Sequence, residues 1–340
     1  MKPVFHPHLV NSCFEDPVLY LDFLFEKRAI LFDLGNIRLL TPRQILRVSD
    51  VFVSHTHMDH FTDFDWLLRL CLGREKQLRL VGPAGFIAQV EHKLRAYSWN
   101  LVHNYDTELM LTVTEVLTDA DGRQAVFRCR QAFAREKERT QQLIDGVVLD
   151  EPALRVRSAI LDHGIPSLGF SIEEKQHVNL WKNRLEEMGL PVGPWLRELK
   201  QAVVLGKPDT IPIRAWWREN QTVQERYLSL GELRERVVRI VPGQKISYVV
   251  DVGYHQKNIR KIIELAQGSN TFYIEAPFLH EEAKAARRKH HLTTYQAGWL
   301  GRGAEAKELI PLHFSPRYLH CEPALRSEIQ AAFGGKVLPE

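Results

Sequence analysis

A chain of 340 residues, 44% apolar and 26% charged, can bury a sizeable core and has the charge of an ordinary soluble domain. Its 45 basic and 42 acidic residues leave a formal charge of +3, so net charge does not declare a nucleic-acid binder, although a local basic face stays open. Cys13, Cys71, Cys129 and Cys321 show no paired spacing, which argues against a disulfide framework or a cysteine-held zinc and fits a reducing cytoplasm; "MKPVFHPHLVNS" has no apolar leader core, and no run approaches the ~18 apolar residues of a membrane span.

In chain order, "VLYLDFLFEKRAILFDLGN" (18–36) predicts two strands joined at Glu26-Lys27-Arg28, the second ending at Gly35. "TPRQILRV" (41–48) predicts a short helix, and "SDVFVSH" (49–55) a buried strand. "DFDWLLRLCLG" (63–73) has helical spacing and stops at Gly73; "QLRLVGPAGFIAQVEHKL" reads as strand, turn and helix. Residues 109–161 are β-rich. From 173 to 240 the chain turns charged, with a helix expected on each side of a Pro/Gly break, and this reads as an excursion from the core. Strands alternate with helices in the last third, from "ISYVVDVG" (246–253) to "ELIPLHF", as in α/β architectures.

One stretch asks for chemistry. "VFVSHTHMDHFTDF" (51–64) places His55, His57, Asp59 and His60 at the end of an apolar run. A solvated loop would tolerate such residues. A metal site would need them, because imidazole nitrogen and carboxylate oxygen are the donors of open zinc sites. Residues i and i+2 of an extended segment point the same way, so His55 and His57 can reach one metal while Asp59 and His60 turn toward a second. Two such ions generate hydroxide and stabilise both oxygens of a displacement.

"SHTHMDH" resembles the signature of the metallo-β-lactamase fold, a four-layer αββα sandwich with metals at one edge between its sheets. The resemblance implies three further ligands at strand ends, and the chain supplies His163 in "AILDHGIPSLGF", Asp251 in "ISYVVDVG" and His313 in "ELIPLHFSPRY". It implies one divalent metal on His55, His57 and His163, another on Asp59, His60 and His313, and Asp251 bridging. Asp33 resembles the early aspartate that orients a ligand from behind. Zinc is the expected metal, with manganese and iron open, since this donor set accepts all three.

Within that fold the chain resembles the ribonuclease Z family of precursor-tRNA 3′-end endonucleases. "HFSPRY" (313–318), "HHLTTYQAG" (290–298), "IEAPF" (274–278) and the arm-like "GLPVGPWLRELK" (189–200) carry the likeness. It implies His291 as catalytic acid with Glu275 as its partner, Asp59 as a ligand that also orients water, and phosphate contacts from Thr293, Ser315 and Arg317. It also implies one domain over 1–340 with a helical arm excursion at 175–210, a precursor-tRNA substrate, a homodimer and a cytoplasmic setting. The chain departs from the family pattern at "LGNIRLL" after Asp33, at Asp63, at Val250 and at Ile274. A metallohydrolase of small phosphodiesters, lactones or other esters is the alternative, and a non-catalytic metal-holding protein the third reading. In the arm, Lys182, Arg184, Arg197, Lys200 and Lys207 stand among Glu186, Glu187 and Glu198, which suits a solvated helix face as well as a phosphate-tracking one. In 123–142, Arg123, Arg128, Arg130 and Arg135 alternate with Phe127 and Phe133, which suits a solvated helix or a nucleic-acid-facing hairpin.

Overall fold

A computed structural model describes residues 5–24 and 26–339. The chain divides into two compact units. One comprises Phe5–Leu149, Val156–Ile172 and Lys245–Glu340; the other includes Asp150–Arg155 and Glu173–Gln244.

The larger unit is built on two sheets. The eight-stranded one runs in sequence order from Phe5–Leu9 to Arg139–Gln142. Its middle is parallel: Ala29–Phe32 lies beside Val48–Phe52, which lies beside Lys76–Pro83, which lies beside Leu109–Val116. The seven-stranded sheet has a parallel half in which Lys245–Val249, Thr271–Glu275 and Glu308–Leu312 are neighbours.

Period-two alternation sorts the side chains of these strands. In Ala29–Phe32, Ala29 and Leu31 join a core with Leu67, Leu68 and Val90 from the helices Phe64–Cys71 and Phe86–Arg95. Phe32 points the other way. Its ring lies 5.8 Å from Phe170 and 5.7 Å from Tyr248, both on the second sheet, and Phe52 lies 5.5 Å from Phe170. Behind the second sheet, Val249, Phe272 and Leu309 pack on Ile262, Leu300 and Ile329 of the helices Gln256–Ala266, Thr294–Gly303 and Glu322–Phe333. The layer order is helix, sheet, sheet, helix, with an aromatic seam between the sheets. Strands covered on both faces are apolar along most of their length, which is why 29–32 and 51–53 read as continuous runs.

The second unit has its own core. Trp195, Leu185, Leu199, Ile213, Ala215, Leu230 and Leu233 are all 2% exposed or less. Helices Lys182–Glu187 and Trp195–Val204 flank the Pro/Gly break, as expected. The expectation of a helical arm overlooked the strands: Pro212–Glu219 and Thr222–Ser229 form a hairpin, and His177–Leu180 pairs with Val238–Val241. Trp195 Nε1 donates to the Pro191 carbonyl at 3.0 Å, which fixes the 189–194 loop beside an open groove of about 690 Å³ lined also by Trp216, Trp217 and Arg218.

The 123–142 segment is a β-hairpin edge, and three of its arginines are paired with carboxylates. Arg123 pairs with Glu115 and Glu138, Arg128 with Glu136 at 2.7 Å, and Arg135 with Glu91 at 3.1 Å and Glu138 at 2.9 Å. Phe127 and Phe133 are core residues. Three of the four arginines of the alternation thus meet glutamates brought by the fold, and of Arg130 the backbone amide meets Glu108 at 3.0 Å.

Phe170 is the junction of the aromatic seam. Its replacement by Ala should destabilise the protein by roughly 3–5 kcal/mol, and replacement by Leu clearly less; denaturant melts of the two variants against wild type test this.

Candidate metal centre

The strands of the larger unit deliver the sequence-predicted residues to one edge. Asp33 follows Ala29–Phe32, and His55 follows Val48–Phe52. His57 is the N-cap of the short helix Met58–Phe61, which carries Asp59 and His60. His163 follows Leu154–Asp162, Asp251 follows Lys245–Val249, Glu275 ends Thr271–Glu275, and His313 follows Glu308–Leu312. Four left-handed non-glycine residues cluster here: Asp33 at φ 61°, Asp251 at φ 50°, His290 at φ 58° and His313 at φ 59°. Such conformations cost energy and persist where the surroundings over-determine them, often at functional sites.

The structure brings all seven candidate ligands together. Ligand atoms of His55, His57, His163 and Asp251 lie within 4.8 Å of one another, and so do those of Asp59, His60 and His313. Asp251 stands between the groups. Its Oδ2 is 3.6 Å from His55 Nε2 and 3.2 Å from His163 Nε2; its Oδ1 is 3.5 Å from His60 Nε2 and 2.9 Å from His313 Nδ1. Asp59 Oδ2 lies 3.3 Å from His313 Nε2 and 3.5 Å from His60 Nε2. His57 is exposed and the Asp59 side chain 40% exposed, so the centre opens to solvent on that side.

A divalent cation fits these residues on two grounds. First, His55 Nε2, His60 Nε2, His313 Nδ1 and Asp251 Oδ1 are buried without hydrogen-bond partners, a cost that coordination would remove. Second, the charges call for a cation. Burial, then the neighbouring His60, push His55 down to about 2, so it is a neutral donor ready for a metal. Burial also lowers His163. His60 and His313 go the other way. Despite burial, the Asp251 carboxylate, helped by Asp33 at His60, holds both well above the usual imidazole range. The buried carboxylates call for positive charge beside them, which a divalent ion would supply.

The ring orientations are fixed from behind. Asp33 Oδ2 receives His60 Nδ1 at 2.9 Å, Ser54 Oγ at 2.9 Å and the Tyr248 hydroxyl at 2.8 Å, while its Oδ1 accepts from the Ser54 amide at 2.6 Å. Ser54 and Tyr248 escaped the sequence reading. Tyr248 was the more legible: a hydroxyl in a doubly covered strand must find a partner. His163 Nδ1 donates to the His290 carbonyl at 2.8 Å. Asp63, where the family pattern expects glycine, accepts from the Ile37 amide at 3.0 Å and from Arg38 Nε at 3.2 Å, tying the short loop after Asp33 to the start of the helix Phe64–Cys71.

His291 and Glu275 lie beside this centre. Nδ1 of His291 meets Glu275 Oε2 at 2.8 Å. Glu275 Oε1 accepts the amides of Val252 at 3.1 Å and Leu292 at 3.0 Å. Glu275, His291, Asp251 and His313 form a third group with metal-holding spacing. Glu275 is nonetheless committed to amides and imidazole, which suits an orienting carboxylate better than a ligand. Burial alone would raise its pKa; the His291 charge and hydrogen bond reverse that and hold it at about 2. His291 is raised in turn: burial lowers it, but the Glu275 carboxylate more than offsets this.

The predicted phosphate contacts divide. Thr293 is fully buried, and its hydroxyl accepts from the Gln296 amide as the N-cap of helix Thr294–Gly303. Arg317 is turned to Glu282, at 2.9 and 3.2 Å, and lies over the Phe278 ring at 5.3 Å. Ser315 is half-buried just beyond His313.

Comparison with known proteins follows the same direction. No family model matches the chain. It is 31% identical over 294 residues to a ribonuclease Z of Deinococcus radiodurans, covering 85% of this chain and 83% of that protein. It is 27% identical over 322 residues to a ribonuclease Z of Bacillus velezensis, covering 92% and 86%. Among solved structures, the metallo-beta-lactamase fold protein YhfI from Bacillus subtilis superposes with a TM-score of 0.53 at 13% identity, covering 95% of this chain and 88% of that one. The short form of human tRNase Z superposes with a TM-score of 0.51 at 15% identity, covering 92% and 93%. The chain has the metallo-β-lactamase fold and a donor set for divalent metal.

Asp33→Asn should keep the fold but loosen the His60 ring, lowering divalent-metal affinity about 10–100-fold. Chelator competition against wild type measures this; equal affinities would count against an orienting role for Asp33.

Proposed function

The chain belongs to the ribonuclease Z family, and from that premise we propose that it is a metal-dependent endonuclease that trims the 3′ end of precursor tRNA. The observation that carries the reading is the His291–Glu275 pair set beside the seven-residue centre. A phosphodiesterase needs such a proton donor more than a hydrolase of activated esters does.

We assign His55, His57 and His163 to one divalent ion and Asp59, His60 and His313 to a second, with Asp251 shared and zinc as the metal. When bound, such ions neutralise phosphate charge and acidify water. The chain's own residues do the rest. Asp59, the most exposed carboxylate of the set, orients the attacking water by accepting its hydrogen bond. Glu275 occupies Nδ1 of His291 and favours the imidazolium, leaving Nε2 to donate a proton to the ribose O3′ as the P–O3′ bond breaks and the water oxygen joins phosphorus. Ser315 contacts the phosphate, and Arg317 does so on exchanging Glu282 for it. Thr293 acts as a helix cap.

The unit over 173–244 is the proposed grip on the tRNA body. Its groove at 189–194 and the basic residues Lys182, Arg184, Arg197 and Lys207 support this; Lys200 is half-buried and contributes less. The setting we assign is cytoplasmic, and a homodimer is the assembly to test by sedimentation. Among the described residues no helix is long and apolar enough to cross a membrane.

His291→Ala should lower kcat on precursor tRNA about 10²–10⁴-fold, the usual worth of general acid catalysis, with metal content near wild type. His57→Ala should lose metal and activity together. A phosphodiester with a much better leaving group should recover part of the His291→Ala loss and none of the His57→Ala loss. Full activity of His291→Ala on every phosphodiester would sink the assignment.

A further inference from the structure

We propose that His290 is a base-stacking residue: its imidazole is the platform for the nucleobase next to the scissile phosphate. The proposal rests on the endonuclease reading above and adds to it a residue that the mechanism leaves unused.

The argument begins with the backbone. His290 adopts φ 58°, a conformation that glycine takes without strain and that side chains generally avoid. The requirement is set by its carbonyl, which must reach His163 Nδ1 at 2.8 Å. Glycine or asparagine would present that carbonyl more cheaply, so the imidazole is not there for the backbone. The other left-handed residues around the centre, Asp33, Asp251 and His313, each touch the ligand cluster through their side chains. His290 shares their conformation and their location.

The ring's placement supplies the rest. A Cβ built on Gly164 would lie 3.3 Å from His290 Cδ2, 3.3 Å from Nε2 and 3.6 Å from Cε1. Three ring atoms at nearly equal distance mean that Gly164 sits under the face of the ring, since an edge-on approach would leave Cε1 well beyond the other two. A Cβ on Gly253 would lie 3.8 Å from Nδ1. The imidazole therefore has a face over Gly164, with Gly253 near its Nδ1, and the residue is exposed. Its ring centroid is 6.4 Å from that of His163, which is itself 4.9 Å from that of His291. A ring face set over Gly164, an exposed residue and a place beside the acid and a ligand make a stacking surface one residue away from the chemistry. Bases stack on such surfaces without regard to identity, because every base has a π-face.

The test uses the zinc-loaded protein and precursor tRNAs that are intact or carry an abasic site immediately 5′ or 3′ of the scissile phosphate. His290→Gly removes the platform and relieves the backbone. It should keep the metal content and thermal midpoint of wild type and lose about tenfold in kcat/KM, through KM. One of the two abasic substrates should cost wild type a similar factor and cost His290→Gly nothing further. His290→Phe should retain more activity than His290→Asn, which keeps polarity but has no ring. A purely structural role would instead lower the midpoint or the metal content. Equal activity of His290→Gly and wild type, full activity of His290→Asn, or the same abasic penalty in both proteins would overturn the proposal while leaving the endonuclease reading intact. A wild-type protein inert on the intact precursor would overturn both.

Discussion

A carboxylate at the bottom of an apolar sandwich needs positive charge beside it, and Asp251 is such a group. It is 2% exposed, and both its oxygens face imidazoles, two on each side. Burying an uncompensated carboxylate would cost many kcal/mol, so the fold must bring donors to it or let it take up a proton. Despite burial, its pKa stays well below the usual carboxylate range, because His313 and His60 stand on the Oδ1 side. The rest of the structure follows from keeping that arrangement. Strand ends from both sheets converge on one edge. Asp33 fixes His60, and the Tyr248 hydroxyl reaches across the seam to hold Asp33. The aromatic seam does more than exclude water: it sets the spacing at which a tyrosine on one sheet meets an aspartate on the other.

The same constraint explains where the backbone is strained. A strand that ends at a ligand must turn sharply to aim the side chain at the centre and still satisfy its own amides. Asp33 at φ 61° does this with its amide on the Phe52 carbonyl, and His313 at φ 59° is followed by the Phe314 amide on the Cys13 carbonyl. Aspartate enters the left-handed region at lower cost than most residues, which helps explain why such sites use it. The strain is local, and the surrounding sheet sustains it.

Much of this was legible in the sequence because the informative residues are periodic or clustered. Continuous apolar runs at 29–32 and 51–53 announced buried strands, and four ligand-type residues in six positions announced a centre. What escaped depended on partners distant in sequence. Arg123, Arg128 and Arg135 read as a basic face, yet Glu91 and Glu115 reach them from another helix and strand. Ser54 has a meaning only once Asp33 is beside it. Thr293 is a different case. "TTYQ" holds the threonine–x–x–glutamine pattern of a capping box, and both of its bonds are present. That signal was local, but the family likeness of the segment drew attention to phosphate instead. The hairpin Pro212–Glu219/Thr222–Ser229 was missed because its second strand is exposed at all but one position and lacks the alternating apolar residues that mark a half-buried strand.

The candidate centre falls wholly on one side of the chain's division. Every candidate ligand, together with His291 and Glu275, belongs to the larger unit. The stretch that leaves at Glu173 returns at Gln244, and the two ends are tied: the Glu174 amide donates to the Gln244 carbonyl at 2.9 Å. Gly243 permits this closeness, since a Cβ there would meet the Glu174 carbonyl oxygen at 1.9 Å. Joined ends impose little on the sheet they interrupt, and the inserted unit carries its own tryptophan-centred core. Side chains on its surface can therefore change without disturbing the spacing around Asp251.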